Sequence, residues 1–311
     1  MAELTTPFIL GVDVSKQQLH VFDWVSQRHF CLDNDAETIR RFLRSLRGPV
    51  RLAVEPTSTY HLTLVEEAHA LGCEVFLVNQ RQLRHYRDAI GARNKTDPDD
   101  AWLLARYLAH EAEQLRPYRP LSGKAQQLWA LLKRRALLVS TQTQLRQSLA
   151  DVNVAPQALW REFARLLRHI DQQLLELIRE LGWQDAYQRC RSIPGIGPLN
   201  AAALVAAFHR GAFSSADAFI AYLGLDVRLR DSGQLKGKRK LTKRGEAEIR
   251  RLLFCATQEA RRRYAPFAAY LQRQLDKGLS KTAARVVLAR KLARIAFALL
   301  SSQQSFQPAT P

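Results

Sequence analysis

The chain has few cysteines to organise it. Cys31, Cys73, Cys190 and Cys255 are scattered through 311 residues and form no CxxC pair. That argues against a zinc site and against a disulfide framework. No apolar run is long enough to span a bilayer. The first residues lack a charged stretch followed by an apolar stretch and a cleavage site. A cytoplasmic, reducing location is the expectation. None of the eight histidines falls in a metal-ligand pattern. Acidic charge is short too: 29 Asp and Glu face 47 Lys and Arg, a net charge of +18. A surplus of that size points to a polyanionic partner, most simply nucleic acid.

What is present is unevenly placed. The length leaves room for two or three domains with real cores. Residues 1–115 hold 13 basic and 16 acidic residues, net −3, and residues 116–311 hold 34 and 13, net +21. An acidic domain is an odd nucleic-acid clamp but a reasonable metal site, because carboxylates bind hard divalent cations.

Hydrophobic patterning predicts strands over Phe8–Val14, Leu19–Trp24, Arg28–Leu32, Val50–Val54 and Glu74–Val78. Helical spacing falls between them, over Ala36–Leu46 and over Tyr60–Leu71, the latter closed by Gly72. A meander followed by alternating helix and strand predicts a mixed α/β sheet covered by helices. Two carboxylates stand out. Asp13 lies inside an apolar strand, where a carboxylate is costly unless paired or metal-bound, and Glu55 directly follows another strand. The stretch Lys95-Thr96-Asp97-Pro98-Asp99-Asp100-Ala101 reads as a helix start, with Asp97 at the N-cap and Pro98 at the first helical position. Spacing of three sets Asp97 and Asp100 on one face, whereas Asp99 points off it. Taken alone, these residues read more readily as an ordinary acidic helix start facing the positive end of the dipole than as a metal site.

Arg116-Pro117-Tyr118-Arg119-Pro120 reads as a linker. Gln126–Leu149 and a helix starting at Pro156 and ending near Gly182 form two long amphipathic helices. They make an antiparallel hairpin or coiled coil, or else part of a plain bundle. Ser192-Ile193-Pro194-Gly195-Ile196-Gly197-Pro198, before a small-residue helix at Ala201–Ala207, looks like a helix-hairpin-helix turn. Gly195 and Gly197 would open backbone N–H groups to a phosphate, and a plain Gly/Pro loop is the alternative. Asp231-Ser232-Gly233 precedes a dense basic stretch, Lys236, Lys238, Arg239, Lys240, Lys243 and Arg244, that reads as a phosphate-binding face. A helix over Glu246–Arg263 carries Arg250, Arg251, Arg261, Arg262 and Arg263. A basic amphipathic helix over Lys281–Leu300 follows, then a frayed tail from Ser301. By itself Ser232-Gly233 reads as a turn.

Taken in order, Gly11-Val12-Asp13-Val14-Ser15-Lys16, Val54-Glu55-Pro56-Thr57 and the stretch from Lys95 to Ala101 resemble the three motifs of DEDD-type insertion-sequence transposases. That family includes the Piv-type DNA invertases. The Pro-Gly-Ile-Gly turn, Tyr222-Leu223-Gly224-Leu225, Ser232-Gly233 and Thr242-Lys243-Arg244-Gly245 resemble the C-terminal domain of the same family. Asp226 stands where the family often has proline. The resemblance implies an α/β plus all-α chain: a RuvC-like (RNase H-fold) DEDD domain over 1–115, a helical hairpin or coiled coil over 116–185, and a mainly helical C-terminal transposase domain over 186–311. It implies catalytic and metal-binding roles for Asp13, Glu55, Asp97 and Asp100, with Mg²⁺ as cofactor and Mn²⁺ as a substitute. It implies Ser232 as the nucleophile towards DNA phosphate. The basic stretch and the Gly195/Gly197 turn would bind nucleic acid. Element-end and target DNA, a structured guide RNA encoded beside the gene, and a homo-oligomer (dimer or tetramer) are the implied partners. A DNA transposase and site-specific recombinase is the reading that follows. A metal-dependent, junction-resolving type of nuclease that uses water as nucleophile is the alternative, and a non-catalytic nucleic-acid-binding protein is a third.

Overall fold

The computed structural model describes residues 7–92, 96–152, 156–228 and 240–308. Of the residues singled out above, Lys95, Asp231, Ser232, Gly233, Lys236, Lys238 and Arg239 lie outside the described residues. The chain divides into two compact units, Met1–Pro120 and Leu121–Pro311.

The first unit is built on five strands: β1 (Phe8–Val14), β2 (Gln18–Asp23), β3 (Arg28–Asp33), β4 (Val50–Val54) and β5 (Glu74–Leu77). Their order across the sheet is β3-β2-β1-β4-β5. The first three are antiparallel neighbours, and β1, β4 and β5 run parallel. Four helices cover the sheet: α1 (Ala36–Ser45), α2 (Leu62–Ala70), α3 (Gln80–Ala89) and α4 (Asp97–Glu111). This mixed sheet is consistent with a RuvC-like domain.

Alternation along β1 explains the layering. Leu10, Val12 and Val14 are buried with Ile39 and Leu43 of α1 and Leu64 and Val65 of α2. Ile9, Gly11 and Asp13 take the other face. There Ile9 packs beside Leu104 and Leu108 of α4. Gly11 has a steric reason to be glycine. A Cβ on it would lie 2.0 Å from the Ala101 carbonyl oxygen and 2.2 Å from the Ala105 nitrogen. Only the missing side chain lets α4 lie directly on β1.

The start of α4 differs from the expected cap. Thr96, not Asp97, is the N-cap, with extended backbone (φ −130°, ψ 161°). Its hydroxyl accepts from the Asp99 N–H at 3.3 Å and donates to the Asp99 carboxylate at 2.6 Å. The threonine hydroxyl thus caps the helix while the aspartate three residues on holds that hydroxyl. Asp97 and Pro98 therefore move one place into the helix.

The second unit holds eight helices among its described residues: α5 (Gly123–Ser148), α6 (Gln157–Glu180), α7 (Gln184–Arg191), α8 (Pro198–His209), α9 (Ala216–Tyr222), α10 (Ala247–Arg263), α11 (Ala265–Asp276) and α12 (Lys281–Ser302). Two short strands, β6 (Val227–Arg228) and β7 (Lys240–Leu241), pair antiparallel. Helix α5 meets α6 through Lys124–Glu180, Arg135–Asp171 and Arg146 over Trp160. Partner numbers fall as the α5 numbers rise, so the two helices run antiparallel. The near ends of this hairpin hold its larger buried side chains: Leu128, Trp129 and Leu132 on α5, and Ile170, Leu174, Leu177 and Ile178 on α6. They share one core with α7 to α12. Helix α8 sits in that core, with Ala201 to Ala207 all buried. A helix apolar all round belongs in the middle of a bundle. The chain end also departs from the frayed tail: Phe306 packs edge-on against Tyr264, and its N–H donates to the Ser192 hydroxyl at 2.8 Å. An aromatic anchor overrides the polar composition around it. No helix among the described residues is long and apolar enough to cross a membrane.

Candidate functional site

Strand register brings the first two carboxylates together. Val12 of β1 pairs with Val54 of β4. Asp13 and Glu55 each stand one residue further on, at the same end of adjacent parallel strands, which lie about 4.8 Å apart. Helix α4 adds the others. With Gly11 fixing α4 on β1, its first turn reaches the same end of the sheet. The carboxyl of Asp13 is held above its ordinary range, first by burial, then by the charges of Asp100 and Asp97. Asp99 is not among these influences; it is engaged with Thr96.

The partners that meet the α4 carboxylates are what the sequence did not reveal. His20, directly opposite Asp13 in the β1–β2 register, brings its Nε2 within 3.6 Å of Asp97. Arg87 of α3 donates from Nη2 to Oδ1 of Asp100. The two α4 carboxylates differ in setting: the Asp97 side chain is 66% exposed and that of Asp100 only 15%. Period-two alternation could have flagged His20, since His20 and Phe22 share a face of β2, and Phe22 packs with Ala101 and Ala105 of α4. Nothing local announces that Arg87 meets Asp100.

Among the described residues, no group of three or more His, Cys, Asp or Glu side chains is gathered closely enough to hold a metal ion. As they stand, Asp97 faces an imidazole and Asp100 a guanidinium. The donor chemistry still fits a hard divalent cation. All four candidates are oxygen donors, and crowding by like charge adds to burial in raising Asp13. Carboxylates so placed favour a cation among them.

In the second unit, the expected nucleic-acid residues that are described fall on the turn before α8 and on the stretch from β7 to α10. Gly195 has φ +88°, and a Cβ there would lie 2.3 Å from the Ala260 nitrogen of α10. Gly197 is the N-cap of α8, with no side-chain cap. Lys240, Lys243 and Arg244 are exposed. Beside them Gly224 and Gly245 press backbone to backbone, a Cβ on Gly245 meeting the Tyr222 carbonyl oxygen at 2.2 Å. Arg250, in the first turn of α10 after the basic stretch, turns inward. Its Nη1 donates to the carbonyls of Leu223 at 3.2 Å and Gly245 at 2.5 Å. The Thr242 hydroxyl donates to the Asp226 carboxylate.

Comparison with known proteins adds the family. Residues 10–154 match a model of DEDD-type IS110 proteins described as "Transposase". Residues 187–272 match a second model, described as "Transposase IS116/IS110/IS902 family". The chain is similar to the pilin gene-inverting protein of Moraxella bovis, 30% identical over 270 residues, covering 83% of this chain and 82% of the relative. It is 26% identical to a probable family 20 transposase of Pseudomonas aeruginosa, over 96% of this chain and 98% of the relative. An uncharacterised 44.8 kDa protein of insertion element IS116 from Streptomyces clavuligerus is 28% identical, over 48% of this chain and 39% of the relative. The first model spans all four candidate carboxylates and the second spans Gly195 through Arg244. The sheet with its crowded acidic end and the basic helical unit therefore belong to a member of the IS116/IS110/IS902 family of DEDD-type transposases, DNA-processing enzymes.

Proposed function

We propose that this chain is the transposase and site-specific recombinase of a mobile insertion sequence, cutting and rejoining DNA strands through a serine nucleophile. The observation that supports it is the meeting of Asp13, Asp97 and Asp100 in one electrostatic cluster, with Glu55 beside Asp13 in register, in a chain of transposase family. Asp13, Glu55, Asp97 and Asp100 would hold Mg²⁺ or Mn²⁺, which when bound supplies Lewis-acid polarisation of a phosphate oxygen. Ser232 Oγ forms a bond to phosphorus as a phosphorus–oxygen bond to the sugar breaks. The released sugar oxygen gains a proton and the serine loses one, leaving a protein–DNA phosphodiester. Attack by the hydroxyl end of a new strand reverses the step and frees Ser232. One phosphodiester replaces another, so no external energy source is needed.

The second unit carries 32 Lys and Arg against 13 Asp and Glu. That surplus suits DNA and, in this proposal, an element-encoded guide RNA, with Lys236 to Arg244 and the Gly195–Gly197 turn holding backbone phosphates as a helix-hairpin-helix does. The chain works as a dimer or tetramer. The far part of the α5–α6 hairpin serves as a coiled-coil arm, which its exposed Leu137, Leu159 and Leu166 favour.

Trapping tests the chemistry. The protein is incubated with its flanking element DNA and Mg²⁺ and then denatured. DNA covalently attached at Ser232 is the expected result. Full strand cleavage by Ser232→Ala would sink the serine mechanism and favour the water-using nuclease. Asp13→Asn should lower adduct formation by more than the roughly 10–100-fold that loss of an outer-shell partner costs a metal site.

A further inference from the structure

We propose that Arg87 is the positioning residue of the acidic site: its guanidinium fixes the Asp100 carboxylate and offsets the crowding of negative charge around it. The proposal rests on the reading of Asp100 as a metal ligand.

Helix α3 carries three arginines, and two of them, Arg81 and Arg84, are exposed. The Arg87 side chain is only 16% exposed. It stands four residues after Leu83, the buried residue of α3, so helical spacing turns both to the same face. Tyr86 beside it packs edge-on against Tyr107 of α4, ring centroids 4.9 Å apart. That packing holds the last turn of α3 against α4. The last turn is also where helix carbonyls favour a cation. A guanidinium is planar and permanently charged, so it fixes a carboxylate in orientation as well as in place. It donates to Oδ1. A carboxylate has two oxygens and about four lone-pair directions, so this bond is compatible with Asp100 also ligating a cation. A fixed positive group beside Asp100 lets like-charged carboxylates stay clustered before a metal arrives. Outer partners of ligating carboxylates do this work in metal sites generally.

The test uses the full-length protein without DNA and reads Mn²⁺ affinity by the paramagnetic resonance of the free ion. Circular dichroism and thermal melting check the fold. Arg87→Gln should weaken Mn²⁺ binding about 10–100-fold. Arg87→Lys keeps the charge but loses the planar fork, and should bind Mn²⁺ more weakly than the unaltered protein and more tightly than Arg87→Gln. If Arg87→Gln does not fold, the lysine variant alone decides. Unchanged affinity in both variants overturns the proposal. Tighter binding overturns it as well, because Arg87 would then be competing with the ion. Asp13→Asn and Asp100→Asn separate the two levels. If neither weakens Mn²⁺ binding, the metal reading falls and Arg87 with it. If both weaken it while the Arg87 variants do not, only the role of Arg87 falls.

Discussion

The two units treat charge in opposite ways. Residues 1–120 hold 15 Lys and Arg against 16 Asp and Glu, close to neutral, yet carboxylates are concentrated at one end of the sheet. Positive charge is brought to them from inside the unit, by Arg87 at Asp100, while the His20 ring meets Asp97. Residues 121–311 hold 32 against 13. There the acids are scarce, and many of them are engaged. Asp171, Glu180, Glu248 and Glu259 are each paired with Lys or Arg. Most of the cations are left to a partner. One unit neutralises itself around a small site and the other leaves its charge open to a polyanion, which is the division that phosphoryl-transfer chemistry on DNA requires.

Each unit also has a glycine set directly against the backbone of a helix, Gly11 in the first and Gly195 in the second, and these give the largest expected effects. Gly11→Ala drives a methyl into the backbone of α4, and Gly195→Ala combines a left-handed φ with a clash against α10. Backbone cannot yield as a flexible side chain can, so each change should cost about 3 kcal/mol or more. Urea unfolding of the full chain measures it. The comparison sharpens when ligands are added. Gly11→Ala, where folded protein is recovered, should lose Mn²⁺ affinity. Gly195→Ala should lose DNA affinity and keep Mn²⁺ affinity. The reverse assignment would break the division of labour.

That division was partly legible from residue order alone. The strands β1 to β5 were readable because alternation and short apolar runs leave few other choices. Their pairing put Asp13 beside Glu55 without help from side-chain detail. The cap of α4 was misplaced by one residue because threonine and aspartate stand side by side, and only hydroxyl geometry decides between them. Helices α3, α7, α9 and α11 were not foreseen; they are short, and packing rather than periodicity holds them. The inward turns of Arg87 and Arg250 were hidden for a different reason. An arginine reads as surface, and only a tertiary bond to a carboxylate or to backbone carbonyls shows otherwise.

Salt dependence gives an intermediate effect and probes the open charge directly. Replacing Lys240, Lys243 and Arg244 together by Gln should flatten the plot of log affinity for DNA against log salt by about three, near 0.9 for each phosphate that is no longer neutralised. Replacing Arg81 and Arg84, exposed on α3 of the first unit, should leave that slope nearly unchanged. Fluorescence anisotropy on one duplex between low and physiological salt suffices. Equal changes from both sets would mean that DNA is held by the whole surface and not by the second unit.

The smallest effect is a pH dependence that belongs to the first unit. His61, which precedes α2, is buried, and its Nδ1 has no hydrogen-bond partner. Burial pushes its pKa below the ordinary value, against an opposing bond to the Thr57 backbone. The unfolded chain therefore takes up this proton first as pH falls. Stability from this group is fully present above about pH 6.5 and is lost as pH drops from there towards the lower folded-state value. The slope for one such group is at most about 1.4 kcal/mol per pH unit. His61→Gln has no proton to gain in this range, so its urea midpoint should fall less between pH 7 and pH 5.5 than that of the unaltered protein. The other near-neutral groups contribute equally to both proteins and cancel in the difference. An identical fall in both would mean that the imidazole is solvated in the folded state, contrary to its burial at the head of α2.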